Sequence, residues 1–269
     1  MEAITEFATP IPLTMIAELL GVPQADQHQL VSWSHSIVRV FDEGHSQEEG
    51  VAGERAVTDF VAYVKELLAD RRAHPGDDLV SALIKAEHEG DRLDEDELVA
   101  TSILTLNAGH EATVHAIGNA LLALSRNVAE FHRLQAQPGL VTSAADEVLR
   151  FDSPLQMFER WILEDLEIAG VRLKRGHKVG LLFGSANHDE EVFDSPESLD
   201  LGRVDNPHVS FGGGIHYCVG APLAKIELEV ALSSFARQVG AFEVEGQPDR
   251  VRSLVFRGLT ALPLSISPR

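Results

Sequence analysis

Cys218 is the single cysteine in a chain of 269 residues, and it closes a glycine-rich frame, Phe211-Gly212-Gly213-Gly214-Ile215-His216-Tyr217-Cys218-Val219-Gly220. Glycine admits backbone conformations closed to other residues and lets the main chain approach a flat ligand, so residues 212–214 read as a tight loop pressed against one. Directly after it, Gly220-Ala221-Pro222 opens an apolar-periodic run to about residue 239, with proline where a first helical turn accepts it. Cys218 is thus expected at a helix N-terminus, where partial positive charge and free backbone N–H groups favour the thiolate, the form that binds a metal. The plainer alternative is a small buried hydrophobe. No second cysteine or histidine pair at zinc-ligand spacing lies nearby.

Other chemistry-bearing residues sit upstream. Ala108-Gly109-His110-Glu111-Ala112-Thr113 lies within a run that no proline interrupts from 94 to 127. A helix of that length spans roughly 50 Å. Small Ala108 and Gly109 leave room for a close ligand or simply for helix packing, and Glu111 sets an acid beside them. Glu147 and Arg150 share one helix face at i, i+3 spacing. Arg160 falls in strand-like sequence.

The elements that must carry these groups follow from periodicity. Helices are expected over 10–20, 26–41, 47–73, a short one to about 89, a long central one over about 93–127, and shorter ones over 128–135 and 141–151. A polar Asp42-Glu43-Gly44-His45 turn separates the second from the third. Residues 166–173 alternate around a turn, 178–183 continue as a strand, and 242–244 and 254–266 read as terminal strands. The fold class is mainly α with a small β region. With 22 Lys+Arg against 42 Asp+Glu, the net charge of −20 disfavours nucleic acid and anionic membrane as partners. A single cysteine fits a reducing compartment, and no basic leader or ~20-residue apolar run is present, so a cytoplasmic protein is expected.

The order Phe-Gly-x-Gly-x-His-x-Cys-x-Gly, preceded by Ala-Gly-His-Glu-x-Thr and Glu-x-x-Arg, closely resembles bacterial cytochrome P-450 enzymes. The resemblance implies one domain over 1–269, the C-terminal portion of the cytochrome P-450 fold, with the region before helix E absent. Residues 5–22 are similar to helix E, so an apolar face once covered by the missing part would be hidden by repacking or in a homodimer. It implies haem b held by Cys218 as axial iron ligand, a thiolate that favours O–O cleavage. Phe211, Gly212 and Gly220 would shape the loop, and His216, Arg160 and His208 would meet the propionates. Ala108, Gly109, Glu111 and Thr113 would form the distal, catalytic segment, although the family's threonine usually follows the acid directly, where this chain has Ala112. Gln156 and Phe158 would line the substrate pocket. Glu147 and Arg150 would form a structural ion pair whose usual third member is missing at Ser198, with Arg203 a candidate replacement.

The activity so implied is monooxygenation of a small organic substrate with O2, with electrons from a ferredoxin and ferredoxin reductase and ultimately NAD(P)H. A non-catalytic haem-binding remnant and a haem-free helical interaction module remain the alternatives.

Overall fold

Two compact units divide the chain, one of Glu2–Val114 and one of Met1 with His115–Arg269. The computed structural model describes residues 1–40, 44–88 and 93–269. The first unit is helical: a π-helical turn at Ile4–Ala8, then α1 (Pro10–Leu20), α2 (Gln27–Arg39), α3 (Gln47–Ala73), α4 (Leu79–His88) and the start of α5 (Glu95–Arg126). Phe41, the expected end of the second helix, lies outside the described residues, as do Asp42 and Glu43 of the expected turn and Glu89 at the end of the fourth.

Capping explains where these helices begin and end. Ser46 and Glu49 exchange side-chain and backbone hydrogen bonds of 3.1 and 2.6 Å ahead of α3. This reciprocal box satisfies two otherwise orphaned donors. The Ser46 N–H first, then Arg39, pull the Glu49 carboxyl down to about 2. Asp94 and Glu97 exchange the same pair of bonds, each 2.9 Å, ahead of α5. Gly21 ends α1 at φ +73°, donating to the Ala17 and Glu18 carbonyls, a left-handed cap that glycine adopts without steric penalty.

Ile16, Leu20, Leu30, Phe60, Leu68 and Leu106 are among the side chains that form the core of this unit. Burying each stabilises by about 1.5–3 kcal/mol before chain entropy is counted. Trp33 packs on Phe60 and Tyr63, with ring centres 5.4 and 5.8 Å away. Tyr63 donates its hydroxyl to Asp26 at 2.9 Å, and burial, then this bond, pushes the phenol up.

In the second unit, α5 continues from His115 and is followed by α6 (Val128–Ala136) and α7 (Val141–Phe151). Four short strands come next: β1 (Met157–Trp161), β2 (Leu166–Ile168), β3 (Val171–Leu173) and β4 (Lys178–Leu182). A single turn α8 (Phe183–Ala186) precedes a long irregular stretch, and then come α9 (Ala221–Gln238), β5 (Val239–Val244) and β6 (Leu264–Pro268). The strands pair antiparallel as β1–β4, β2–β3 and β5–β6. The turn at Ala169-Gly170 has φ +49° and +80°, the paired positive values of a two-residue hairpin whose twist matches its strands. Phe131, Phe235 and Phe242 meet edge to face, with centres 4.9–6.0 Å apart, and fasten α6, α9 and β5 together.

The expected strand over 254–266 is shorter than its sequence pattern implies. Only Leu264 onward is strand; upstream, Phe256 and Leu259 make isolated bridges to Leu155 and Arg250. The cause is local. Ser253 Oγ accepts the N–H groups of Val255 and Phe256 at 3.1 and 2.9 Å, taking donors that a ladder would have used.

Candidate functional site

The stretch that leads into the cysteine loop is anchored to a buried charge cluster. Glu147 and Arg150, both fully buried on α7, form a two-bond pair of 2.8 Å each. Arg203 adds its Nε to Glu147 at 3.0 Å, so it is the third member of the cluster and Ser198 contributes only its carbonyl, 3.2 Å from Arg150. Arg150 also donates to the Asn187 and Pro196 carbonyls at 2.8 and 2.9 Å. Glu147 further accepts from the Asp200 N–H and from Asn206. Nearly every donor and acceptor of the pair is therefore answered, the condition under which buried charge is tolerated.

A second polar knot joins that cluster to the loop. Asn187 donates to Ser153 and Ser210 at 2.7 and 2.8 Å and accepts from the Val209 N–H at 2.8 Å. Ser210 in turn donates to the Leu149 carbonyl at 2.8 Å. Residues 209 and 210 are thereby tied to α7 immediately before Phe211. Sequence reasoning missed this knot, because isolated serines and asparagines carry no periodic signal. It also missed Asp152, Asn119, Arg250 and Arg257, which bond together at the end of α7: Arg250 reaches Asp152 at 2.9 Å and Asn119 at 3.1 Å, and Asn119 donates to the Arg257 carbonyl at 2.7 Å.

The loop itself is open. Phe211 is half-buried, with its ring 5.8 Å from His208 and 6.3 Å from Tyr217. Its carbonyl accepts from the Cys218 N–H at 3.0 Å, closing the loop. Gly212 and Gly214 have φ of +70° and +62°, conformations that strain any residue with a Cβ. Cys218 is exposed, which removes the buried-hydrophobe alternative, and Gly220 caps α9 just beyond it. Ile215 and Val219 on either side are 96% and 98% exposed.

The remaining expected site residues are placed as follows. His216 is exposed in the loop. Arg160 is half-buried on β1, on the same face as exposed Phe158, with its guanidinium donating to the Glu159 carbonyl at 2.9 Å. His208 is turned toward protein: Nε2 lies 3.3 Å from Asp146, and Nδ1 accepts from the Ser210 N–H. Lys225 of α9 reaches the same carboxylate at 2.8 Å. Burial raises the Asp146 carboxyl, but the bonds from His208 and Lys225 outweigh it and leave it below the usual range. Gln156 donates to the Ser153 carbonyl at 2.7 Å, and Phe158 meets Phe183 edge-on at 6.1 Å.

Ala108, Gly109, Glu111 and Thr113 lie on α5 within the Glu2–Val114 unit. Gly109 faces the side chain of Ile16, where an added Cβ would come within 2.7 Å. Helix packing against α1 is therefore reason enough for that glycine. Thr113 is buried, and Glu111 is half-buried between His35 and His110.

The cytochrome P450 family model matches residues 10–266. The biotin biosynthesis cytochrome P450 of Bacillus subtilis (strain 168) is 38% identical over 266 residues, covering 98% of this chain and 67% of that protein. The polyketide biosynthesis cytochrome P450 PksS of the same organism is 37% identical, covering 99% of this chain and 65% of its own length. Among solved structures, P450BioI in complex with an acyl carrier protein ligated to hexadec-9Z-enoic acid matches with a TM-score of 0.95 at 36% identity, covering 99% of this chain and 69% of that one. The mainly helical fold with a small β region matches that of these proteins, and the chain belongs to the cytochrome P450 family. It spans about two thirds of the length of these relatives. The family's cofactor is haem, and the loop fits one: an exposed thiol between exposed apolar side chains, and at Gly213 no protein atom within 4 Å of an added Cβ. No helix among the described residues is long and apolar enough to cross a membrane.

Proposed function

We propose that this chain holds haem b through the Cys218 thiolate and serves as a monooxygenase, placing one oxygen atom from O2 into a small organic substrate. Electrons would come from NAD(P)H through a ferredoxin reductase and a ferredoxin. The observation that carries this reading is the exposed thiol of Cys218 on an apolar glycine loop tied through Asn187 and Ser210 to the Glu147–Arg150–Arg203 cluster. When bound, the haem supplies oxygen activation, and a thiolate ligand favours O–O cleavage.

The chain's own residues take the supporting roles. Gly212 and Gly214 hold the loop in its positive-φ turn, Gly213 adds no Cβ toward the ligand, and Phe211 packs beside the sulfur. Arg160 and His216 pair with the cofactor's carboxylates, since a carboxylate near apolar surface needs charged donors. His208, held by Asp146 and Ser210, joins them by exchanging one of those bonds. Glu111 handles protons, with small Ala108 beside it and Gly109 letting α5 pack close against Ile16. Thr113 contributes a buried hydroxyl one position beyond Ala112, about 100° further round the helix. Gln156 and Phe158 touch the substrate.

The test is the absorption spectrum of the haem-supplemented protein, reduced and exposed to carbon monoxide. A long-wavelength thiolate-type Soret band, abolished in Cys218→Ala, is the expected result. A neutral-ligand band, or no bound haem, would overturn the assignment of Cys218. Ala112, in the position of the family's usual threonine, favours a second reading in which haem is bound without turnover. A thiolate band with no product when competent redox partners are supplied would establish that reading instead.

A further inference from the structure

Away from the cysteine loop, three metal-binding side chains converge within the Glu2–Val114 unit. His35 on α2 and the consecutive His110 and Glu111 on α5 bring His35 Nε2 and His110 Nε2 each to 3.4 Å from Glu111 Oε2. All three ligand atoms lie within 4.8 Å of one another. We infer that His35, His110 and Glu111 form a binding site for a zinc-type divalent cation.

The distances support this first. A zinc ion with bonds of about 2.0–2.1 Å to nitrogen and oxygen separates neighbouring tetrahedral ligands by about 3.4 Å. Two of the three edges already have that length. Closing the third edge requires movement only of His35, whose side chain is 61% exposed.

The hydrogen bonding of His110 is the second, independent support. Its Nδ1 lies 3.1 Å from the Leu106 carbonyl, which can only accept, so the ring proton sits on Nδ1. Nε2 then faces the Glu111 carboxylate at 3.4 Å. A cation suits the space between the two atoms, and a proton on Nε2 is the competing occupant that the titration decides against. A histidine whose far nitrogen donates to a backbone carbonyl is also the usual arrangement for a metal ligand, since that bond fixes tautomer and ring orientation.

Burial supplies the third support. His110 is 1% exposed and the Glu111 side chain 13%, so two ligands are held in place while His35 marks the solvent side through which an ion and its water would enter. The donor set of two imidazoles and one carboxylate suits zinc and leaves a fourth position open. Glu111 is also the group given above to proton handling, so a bound cation would suppress turnover as well; the binding test does not depend on that.

The experiment is isothermal titration of Zn²⁺ into the tag-free, haem-loaded protein, followed by zinc K-edge X-ray absorption. One saturable site is expected, weakened at least tenfold in His35→Ala and in Glu111→Gln and unchanged in His28→Ala, an exposed histidine on the same helix. The absorption spectrum should show two imidazoles at about 2.0 Å. An affinity unchanged in His35→Ala, no saturable site, or absorption without an imidazole pair would overturn the proposal, leaving the His110–Glu111 contact as an ion pair filled by a proton.

Discussion

Glu147 and Arg150 lie buried and half-buried Arg203 joins them through Glu147, whereas Ile215, Tyr217, Cys218 and Val219, further along the same chain, are exposed. The first group is complete without help: each charge meets an opposite charge, and carbonyls and N–H groups take up the remaining bonds. The second group is apolar surface and a thiol held in a positive-φ glycine frame and left exposed among the described residues. A rigid polar base under an open apolar loop is what a protein needs if it is to present one sulfur to a large flat ligand without reorganising. The base is accounted for by the protein's own packing; the loop fits the haem of the family.

Breaking the base should have the largest effect. Arg150→Met leaves Glu147 with only Arg203 as a charged partner in a buried setting and should lower unfolding free energy by about 3–5 kcal/mol, read as a shift in the urea midpoint. If the midpoint moves by less than a third of that, the cluster is not what supports the loop. The loop glycines sharpen the contrast at smaller scale. Gly212→Ala, at φ +70°, should be destabilised by about 1–2 kcal/mol. Gly213→Ala, in extended backbone with no neighbouring atom, should leave stability within about 0.5 kcal/mol yet weaken haem retention measurably. Equal haem retention by Gly213→Ala and the native chain would show that the ligand does not lie against that residue.

The smallest effect concerns acid. The Asp146 carboxyl is held below its ordinary 3.8 by His208 and Lys225 despite its burial. A depressed carboxyl adds stability that is fully present above its unfolded value and is lost as pH falls through the folded one. Thermal melts between neutrality and pH 3 should therefore fall less steeply for Asp146→Asn than for the native chain, and identical slopes would remove Asp146 from the account.

Periodicity made the helices readable from the sequence, because apolar spacing is a local signal; the Ser46–Glu49 and Asp94–Glu97 boxes that start α3 and α5 emerged only in the structure. Cys218 and its frame were equally readable. What escaped is non-local. Arg203 could be named only as a candidate, since nothing in residues 196–206 says that a guanidinium 56 positions from Glu147 folds back onto it. Asn187 was invisible for the same reason. Gly109 was left between ligand room and helix packing, and it took the position of Ile16, on another helix, to show that packing alone explains it. His208 was expected, from the resemblance, to meet a propionate; its contact with Asp146 on α7 could not be read from the sequence.

Gly258 carries a consequence for how this sequence can change over generations. A Cβ there would come within 1.9–2.5 Å of ring atoms of buried His115, which also meets the tilted ring of Phe256 with centres 5.9 Å apart. Substitution at 258 is therefore contingent on an earlier change at 115. In a library that randomises both positions, larger residues at 258 should be recovered only in clones whose residue 115 has already shrunk, so the two sites travel as a linked pair and the order of mutation decides which paths are open.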